Sequence, residues 1–282
     1  MFKNIVCFPH KLGQKKWGVE KAPSLFVDFL KNKSINNKSI AMNIHHVPCT
    51  NNEFFLNNNL KNLYNVNEEI PEYDFRLNVG GDHSMSIATV AYSLNKYPNC
   101  KVIWIDAHAD INTYEKSETK NMHGMPLAYL SGLQNDNRFG FLQKKLPLEN
   151  LLYIGLRSID PYEQEVIDKY NIKIITSENI NENIVNSLEK IDNFIGKSFF
   201  HLSFDVDSID PSVLYYTGTR VINGINKKAI MHLLYFLTQK KYLGRQLMNM
   251  DLTEMNPYIF GDPENETMNE MFEMVSMYKI NV

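Results

Sequence analysis

Cysteine is scarce. Cys7, Cys49 and Cys100 are odd in number, widely spaced and form no CxxC pair. That argues against a disulfide scaffold and for a reducing compartment, read here as the cytoplasm. Long apolar runs are missing as well. No stretch reaches the length of a membrane span, and the N-terminus lacks an apolar leader followed by a small-residue cleavage site, so no membrane association is expected. Strong charge of either sign is absent: the net charge of -3 gives no electrostatic case for nucleic acid. There is no internal repeat, no low-complexity linker and no break in composition. One domain spanning residues 1–282 is the simplest expectation.

What is present is ordinary globular material, 44% hydrophobic and 22% charged, with enough chain for a large core. Strand-like apolar runs cover Ile5 to Phe8, Ala41 to Val47, Phe75 to Val79, Lys101 to Ile105, Leu151 to Leu156, Ile172 to Ile175, Phe199 to Phe204 and Arg245 to Asp251. Between them, helical periodicity marks the stretch around Leu25 to Leu30, Ser84 to Asn95, Leu127 to Leu133, Tyr162 to Tyr170, Glu182 to Ile191, Lys227 to Leu237 and Thr267 to Tyr278. The Asn-rich segment with Phe54, Leu60 and Leu63 reads either as a helix or as a surface excursion, and Lys11 to Pro23 reads as a loop. Strands alternating with helices of this length predict an α/β fold of three layers, α/β/α, around a mainly parallel sheet.

Chemistry collects at the strand ends. Asp106, His108 and Asp110 follow Ile105 at every second residue, which in an extended chain puts all three on one face. Asp82 and His83 follow Val79-Gly80-Gly81, Asp205 and Asp207 follow Phe204, and Glu254 comes just after Asp251. In a parallel sheet all of these meet at one edge, where ligands of open α/β folds bind. Such a group of carboxylates and imidazoles cannot stay ionised together without cations. A divalent metal pair resolves the repulsion, and oxygen-rich ligation with a few imidazoles suits Mn²⁺. Taken singly, each motif has a plainer reading. A lone DxH or DxD is usually a helix cap or solvated loop, His83 alone a core histidine, and Asp210-Pro211 a turn.

Gly80-Gly81-Asp82-His83-Ser84, Asp106-Ala107-His108-Ala109-Asp110 and the Ser203 to Pro211 segment with Asp205 and Asp207 resemble the three signatures of the ureohydrolase family. The early loop with Gly13-Gln14, Gly18-Val19-Glu20 and Pro23 is similar to that family too. Asp110 to Thr113, Asn121 to Pro126 and Gly155 to Glu163 resemble its arginase branch. The resemblance implies two Mn²⁺ per chain. His83, Asp106, Asp110 and Asp205 would hold one ion. His108, Asp106, Asp205 and Asp207 would hold the other, with Asp106 and Asp205 bridging and a hydroxide between the ions. It implies hydrolysis of L-arginine to L-ornithine and urea. Asp110 would aim the nucleophile, Glu254 would pair with the guanidinium, and His123 would shuttle a proton to the departing amine. Asn112 and Thr119 would contact the substrate α-carboxylate and Asp160 its α-amino group. Glu163 would act there through water, and Thr219 would form pocket wall. Ser117 and Asn121 are weaker candidates for the same loop. A homo-oligomer, trimer or hexamer, is implied.

Other readings stand beside these. Asp160-Pro161 with Glu163 is also a helix start, Asp as N-cap and Pro in the first turn, and Asn112 is a plausible turn residue. The chain departs from the arginase pattern at Thr119, where Ser is usual, at Val213-Leu214-Tyr215-Tyr216, and at Arg220 in place of Pro. Ending at Val282, the sequence leaves no room for the extended tail of some animal arginases. Within the family the alternatives are agmatinase or formimidoylglutamase activity, or a weakly active arginine-binding member. Asn112, Thr119 and Asp160 argue against agmatine, which has no α-carboxylate.

Overall fold

A computed structural model describes residues 4–36, 42–50, 52–97, 99–238, 246–259 and 266–276. Among them, eight strands form one sheet in the order β2-β1-β3-β8-β7-β4-β5-β6, and every ladder between neighbours is parallel. The strands are β1 Asn4–Phe8, β2 Asn43–His46, β3 Arg76–Gly80, β4 Lys101–Ile105, β5 Leu151–Ile154, β6 Lys173–Ile175, β7 Phe199–Asp205 and β8 Gln246–Thr253. The helices are α1 Ala22–Asn36, α2 Leu56–Glu69, α3 Ser86–Lys96, α4 Pro126–Ser131, α5 Pro161–Tyr170, α6 Ser177–Glu182, α7 Ile184–Ile195, α8 Lys227–Thr238 and α9 Glu266–Ser276.

Two apolar cores lie on the two faces of the sheet. Phe26 of α1, Ile191 of α7, Ile230 of α8 and Met271 of α9 pack against Ile103, Leu202 and Met250. Leu60 and Leu63 of α2, Ile87 of α3, Leu127 of α4 and Val166 of α5 pack on the other side with Val102 and Trp104. This is the expected three-layer arrangement. Burial on both faces explains why the central strands read as nearly continuous apolar runs.

The differences from expectation are local. The Asn-rich segment is helix α2, anchored by Leu60, Leu63 and Tyr64. Pro23 falls in the first turn of α1, where a missing N–H costs nothing. A short polar helix, α6, precedes α7; its sequence SENINE carries too little apolar periodicity to be visible, and a capping box from Thr176 and Asn179 starts it. Strand β8 runs on to Thr253, two residues beyond Asp251, which brings Glu254 to the strand end. The predicted limits at Ala41, Arg245 and Tyr278, and the chain end at Val282, lie outside the described residues.

A polar stripe crosses the centre of this otherwise apolar sheet. Register places Asn78 of β3 beside Asp251 of β8, and Asp251 beside Ser203 of β7. The fully buried Asp251 carboxylate accepts hydrogen bonds from Asn78 Nδ2 (2.9 Å), Ser86 Oγ (2.9 Å), Thr89 Oγ1 (2.6 Å) and His201 Nε2 (2.9 Å). Burial alone would push this carboxyl up, but His201, Thr89 and Ser86 hold it below the usual carboxylate range. Asp251→Ala strands four buried donors at once. It is expected to lower the unfolding free energy by about 3–5 kcal/mol, measured as a drop in the urea midpoint. An unchanged midpoint would mean that the stripe does not support the fold.

Candidate metal and substrate site

The site lies at the carboxyl ends of four adjacent strands, β3, β8, β7 and β4. After β3 the chain turns at Gly81, where a Cβ would collide with the His10 carbonyl. Asp82 then caps a single 3₁₀ turn, His83–Met85, by accepting from Ser84 N at 3.0 Å. His83 is thereby set on the sheet edge, its ring stacked on Trp104 at 4.2 Å between centroids. At the end of β4, Asp106 Oδ1 accepts from His108 N (2.7 Å) and Oδ2 from Trp104 Nε1 (3.0 Å). At the end of β7, Asp205 Oδ1 accepts from Asp207 N at 2.9 Å. Asp207 in turn accepts from Ala107 N (3.2 Å) and Thr219 Oγ1 (2.7 Å).

Two donor sets result. His83 Nδ1 stands 3.0 Å from Asp106 Oδ2, 3.0 Å from Asp110 Oδ2 and 3.1 Å from Asp205 Oδ2. His108 Nδ1 stands 3.0 Å from Asp207 Oδ2 and 3.6 Å from Asp106 Oδ1. Asp106 belongs to both sets, and Asp205 belongs by its contacts to the first. The Asp106 to Asp110 row does converge, but the chain is not extended throughout. Asp110 has φ of 50° in the left-handed region, which turns its carboxylate back toward His83 while His108 faces Asp207.

This donor set fits divalent cations. His83 Nδ1 is buried, surrounded by three carboxylate oxygens, and makes no hydrogen bond. Its other nitrogen, Nε2, lies 2.8 Å from Ser203 Oγ, and Ser203 Oγ lies 3.1 Å from Ser86 Oγ, which reaches Asp251. That leaves Nδ1 as the ligating atom. Burial pushes the carboxyls of Asp205 and Asp207 up, and that of Asp110 up to about 6, helped in all three by the Asp106 charge and at Asp205 by Asp207 as well. Oxygen and imidazole donors with no thiolate favour a hard or borderline ion. Cys7, Cys49 and Cys100 are free thiols outside both sets.

A cavity of about 120 Å³ opens onto these groups. Its walls carry His108, Asp110, Asp205 and Asp207 on the metal side, with Asn112, Ser117, Thr119, His123, Asp160, Glu163 and Thr219 around them. Asn112 Nδ2 donates to Asp160 Oδ2 at 2.7 Å, while Asn112 Oδ1 is buried without a partner. The alternative reading of Asp160 also holds. It caps α5 in a capping box with Glu163, whose Oε2 accepts from Asp160 N (2.9 Å) and whose Oε1 accepts from Ile111 N (3.2 Å). Burial pushes the Glu163 carboxyl up to about 7. Both of its oxygens thus serve the backbone of the site loops, although it borders the cavity.

Glu254 lies behind His123, which is on the cavity wall. Glu254 itself is buried and not on that wall. Its Oε1 accepts from His83 N (2.8 Å) and from His123 Nδ1 (3.0 Å), and its Oε2 accepts from Gln14 Nε2 (2.6 Å). Burial pulls the His123 imidazole down, but the Glu254 carboxylate more than offsets this and holds it at about 9. Tyr215, Tyr216, Arg220 and Asn121 are not on the wall either. Tyr216 is buried, its ring stacked on Tyr215, so the unusual loop is packed into the protein on that side.

Four supporting residues were not singled out as site residues from the sequence. Trp104 and Ser203 hold Asp106 and His83. Arg157 donates to the carbonyls of Asp207 (2.8 Å), Ser208 (3.2 Å), Val221 (2.8 Å) and Ile222 (3.0 Å), tying the two loops together. Gln14 holds Glu254. The available signal for Ser203 was its polarity at a core-facing position of β7, alternating with Leu202 and Phe204.

A parallel α/β sheet carrying two overlapping His–carboxylate sets at its strand ends defines a metal-site protein of the three-layer class. Comparison with known proteins narrows this. A model of the arginase family matches residues 4–277. The arginase of Entamoeba histolytica is 34% identical over 278 residues, covering 90% of each chain. That of Staphylococcus aureus strain COL is 31% identical over 298 residues, covering 98% of this chain and 96% of its own. The crystal structure of Entamoeba histolytica arginase in complex with L-ornithine matches with a TM-score of 0.87 at 28% identity, covering 100% of this chain and 99% of that one. The chain belongs to the arginase family.

Because Ser203 fixes the tautomer and tilt of His83, Ser203→Ala is expected to weaken divalent-cation binding about 10–100-fold with the fold intact. Titration of the metal-stripped protein, followed by calorimetry, reads this directly; equal affinity in the two proteins would refute it.

Proposed function

We propose that this chain is a hydrolase that converts L-arginine and water to L-ornithine and urea, using two Mn²⁺ ions. The observation that carries the reading is the cavity itself. It has two His–carboxylate donor sets sharing Asp106 on one side and the Asn112–Asp160 pair on another. Family membership and relatives named arginase support the same substrate. His83, Asp106, Asp110 and Asp205 hold one ion, and His108, Asp207 and the shared Asp106 hold the second, with Asp205 completing it. When bound, the ions supply the Lewis acidity that makes water a nucleophile near neutral pH.

The protein's own groups do the rest. Asp110, held in its left-handed turn with its carbonyl accepting from Leu127 N at 3.0 Å, accepts a hydrogen bond from the attacking water and aims it at the guanidinium carbon. Glu254 supplies the charge that the guanidinium meets: it stands directly behind the cavity wall, bonded to His123 on that wall, so the guanidinium reaches it past His123. Its Oε1 is filled by two donors, so Oε2 is the oxygen with room for a guanidinium N–H. His123, kept protonated at neutral pH by Glu254, gives its proton to the departing amine. Asn112 and Thr119 recognise the α-carboxylate and Asp160 the α-ammonium, while Glu163 and Thr219 shape that end. We read the chain as one domain, active as a homo-oligomer, trimer or hexamer, in the cytoplasm. The free thiols accord with a reducing compartment. No helix among the described residues is long and apolar enough to cross a membrane.

The Mn²⁺-loaded protein is expected to release urea from L-arginine and not from agmatine; the reverse preference would overturn the assignment. Asp205→Ala is expected to lose both activity and bound metal, the latter read by elemental analysis. His123→Asn is expected to lower kcat by about 10²–10⁴-fold with metal content unchanged. A kcat within a few-fold of the parent would remove His123 from the proton path.

A further inference from the structure

The segment from Lys11 to Gly18 runs along the site on the side of His123 and Glu254. Gly13 N donates to Asp82 Oδ2 at 2.9 Å, beside His83. Gly13 O accepts from His123 N at 3.0 Å. Gly13 has to be glycine, since a Cβ there would collide with Asp82 Oδ1 and Ser84 Oγ. Lys16 Nζ donates to the carbonyl of Gly218, next to Thr219. Asn256 Nδ2 donates to Trp17 O at 2.9 Å, two residues past Glu254. In the middle of this strap, Gln14 Nε2 donates to Glu254 Oε2 at 2.6 Å, across 240 residues of chain.

The terminal torsion of a Glu side chain is broad and two-fold, so its backbone alone does not fix the plane of the carboxylate. Fixing that plane requires a donor on each oxygen. His83 N–H and His123 supply Oε1, and Gln14 is the donor on Oε2. The direction of the remaining Oε2 lone pair is therefore set from the strap. We propose that Gln14 is a positioning residue: acting through Glu254 Oε2, it aims the carboxylate that receives the substrate guanidinium. This rests on the proposed reaction and adds to it a residue whose side-chain amide donates to Glu254 rather than to a metal ligand. A near-isosteric Gln14→Met keeps the length of the side chain and removes the donor. Gln14→Ala removes both and guards against a steric artefact.

The experiment is steady-state kinetics with L-arginine for the parent and both variants, with manganese content and melting temperature measured on the same samples. Both variants are expected to raise KM for L-arginine about tenfold and to lower kcat by less, with manganese content and melting temperature equal to those of the parent. A merely structural role would lower the melting temperature or the metal content and would not split KM from kcat; that result overturns the proposal. So does a KM within twofold of the parent in both variants. A parent that releases no urea from L-arginine overturns the functional reading itself, and the Gln14 assignment with it. A working parent with indifferent variants overturns Gln14 alone.

Discussion

The constraint on which this molecule turns is the repulsion among Asp106, Asp110, Asp205 and Asp207, gathered with two imidazoles at the end of a buried sheet. Left to themselves such groups would move apart, protonate or unfold their loops. Three of them are fixed by hydrogen bonds of their own, and Asp110 by the left-handed turn of its backbone. Asp106 is held by its own loop and by Trp104, Asp205 by Asp207 N, and Asp207 by Ala107 N and Thr219. The charge problem is thus left for metal to solve, while the geometric problem is solved by the fold.

The rigidity needed for this comes from beneath the site. A sheet with a purely apolar centre would tolerate sliding of α3 over its surface, since apolar contact is not directional. The Asp251 stripe is directional. Ser86, Thr89 and Ser93 of α3 bond to Asp251 and His201 on the strands, and the same chain of hydroxyls reaches His83 through Ser203. One buried carboxylate fixes both the helix that follows His83 and the imidazole itself. Satisfied networks of this kind specify one arrangement more sharply than equal apolar volume does.

The sequence is legible where the determinants are local. Apolar runs bounded by Gly and acidic residues mark β3, β4 and β7 and place His83, Asp106 and Asp205 at their ends. A metal-ligand motif and the turn that presents it are the same few residues. The Asp160-Pro161 helix start with Glu163 is legible for the same reason. What is hidden depends on partners far away in the chain. Nothing near Gln14 says that its amide meets Glu254, and nothing near Glu254 says that His123 takes its Oε1. The short helix α6 is hidden for a different reason: it is started by a capping box and buries a single apolar side chain, Ile180, too little to show a period. The Tyr215-Tyr216 departure looks like a change in the pocket, yet Tyr216 packs inward and neither ring reaches the cavity.

Two residues central to the proposed chemistry, Asp110 and Glu254, sit at positive φ, 50° and 62°, where non-glycine residues are uncommon. Each would relax if its neighbours allowed. Each is pinned by a main-chain bond to a distant segment, Asp110 O accepting from Leu127 N and Glu254 N donating to Gly81 O, both within 3.0 Å. The cost of such a conformation, on the order of 1–3 kcal/mol, persists only where the surroundings over-determine it. Glu254 is over-determined by segments from opposite ends of the sequence: the strap near the N-terminus, the turn after β3 and strand β8. Those segments meet only once the sheet has closed around β8, between β3 and β7. The guanidinium end of the site is therefore a product of the completed topology, and its geometry cannot form ahead of the fold that strains it.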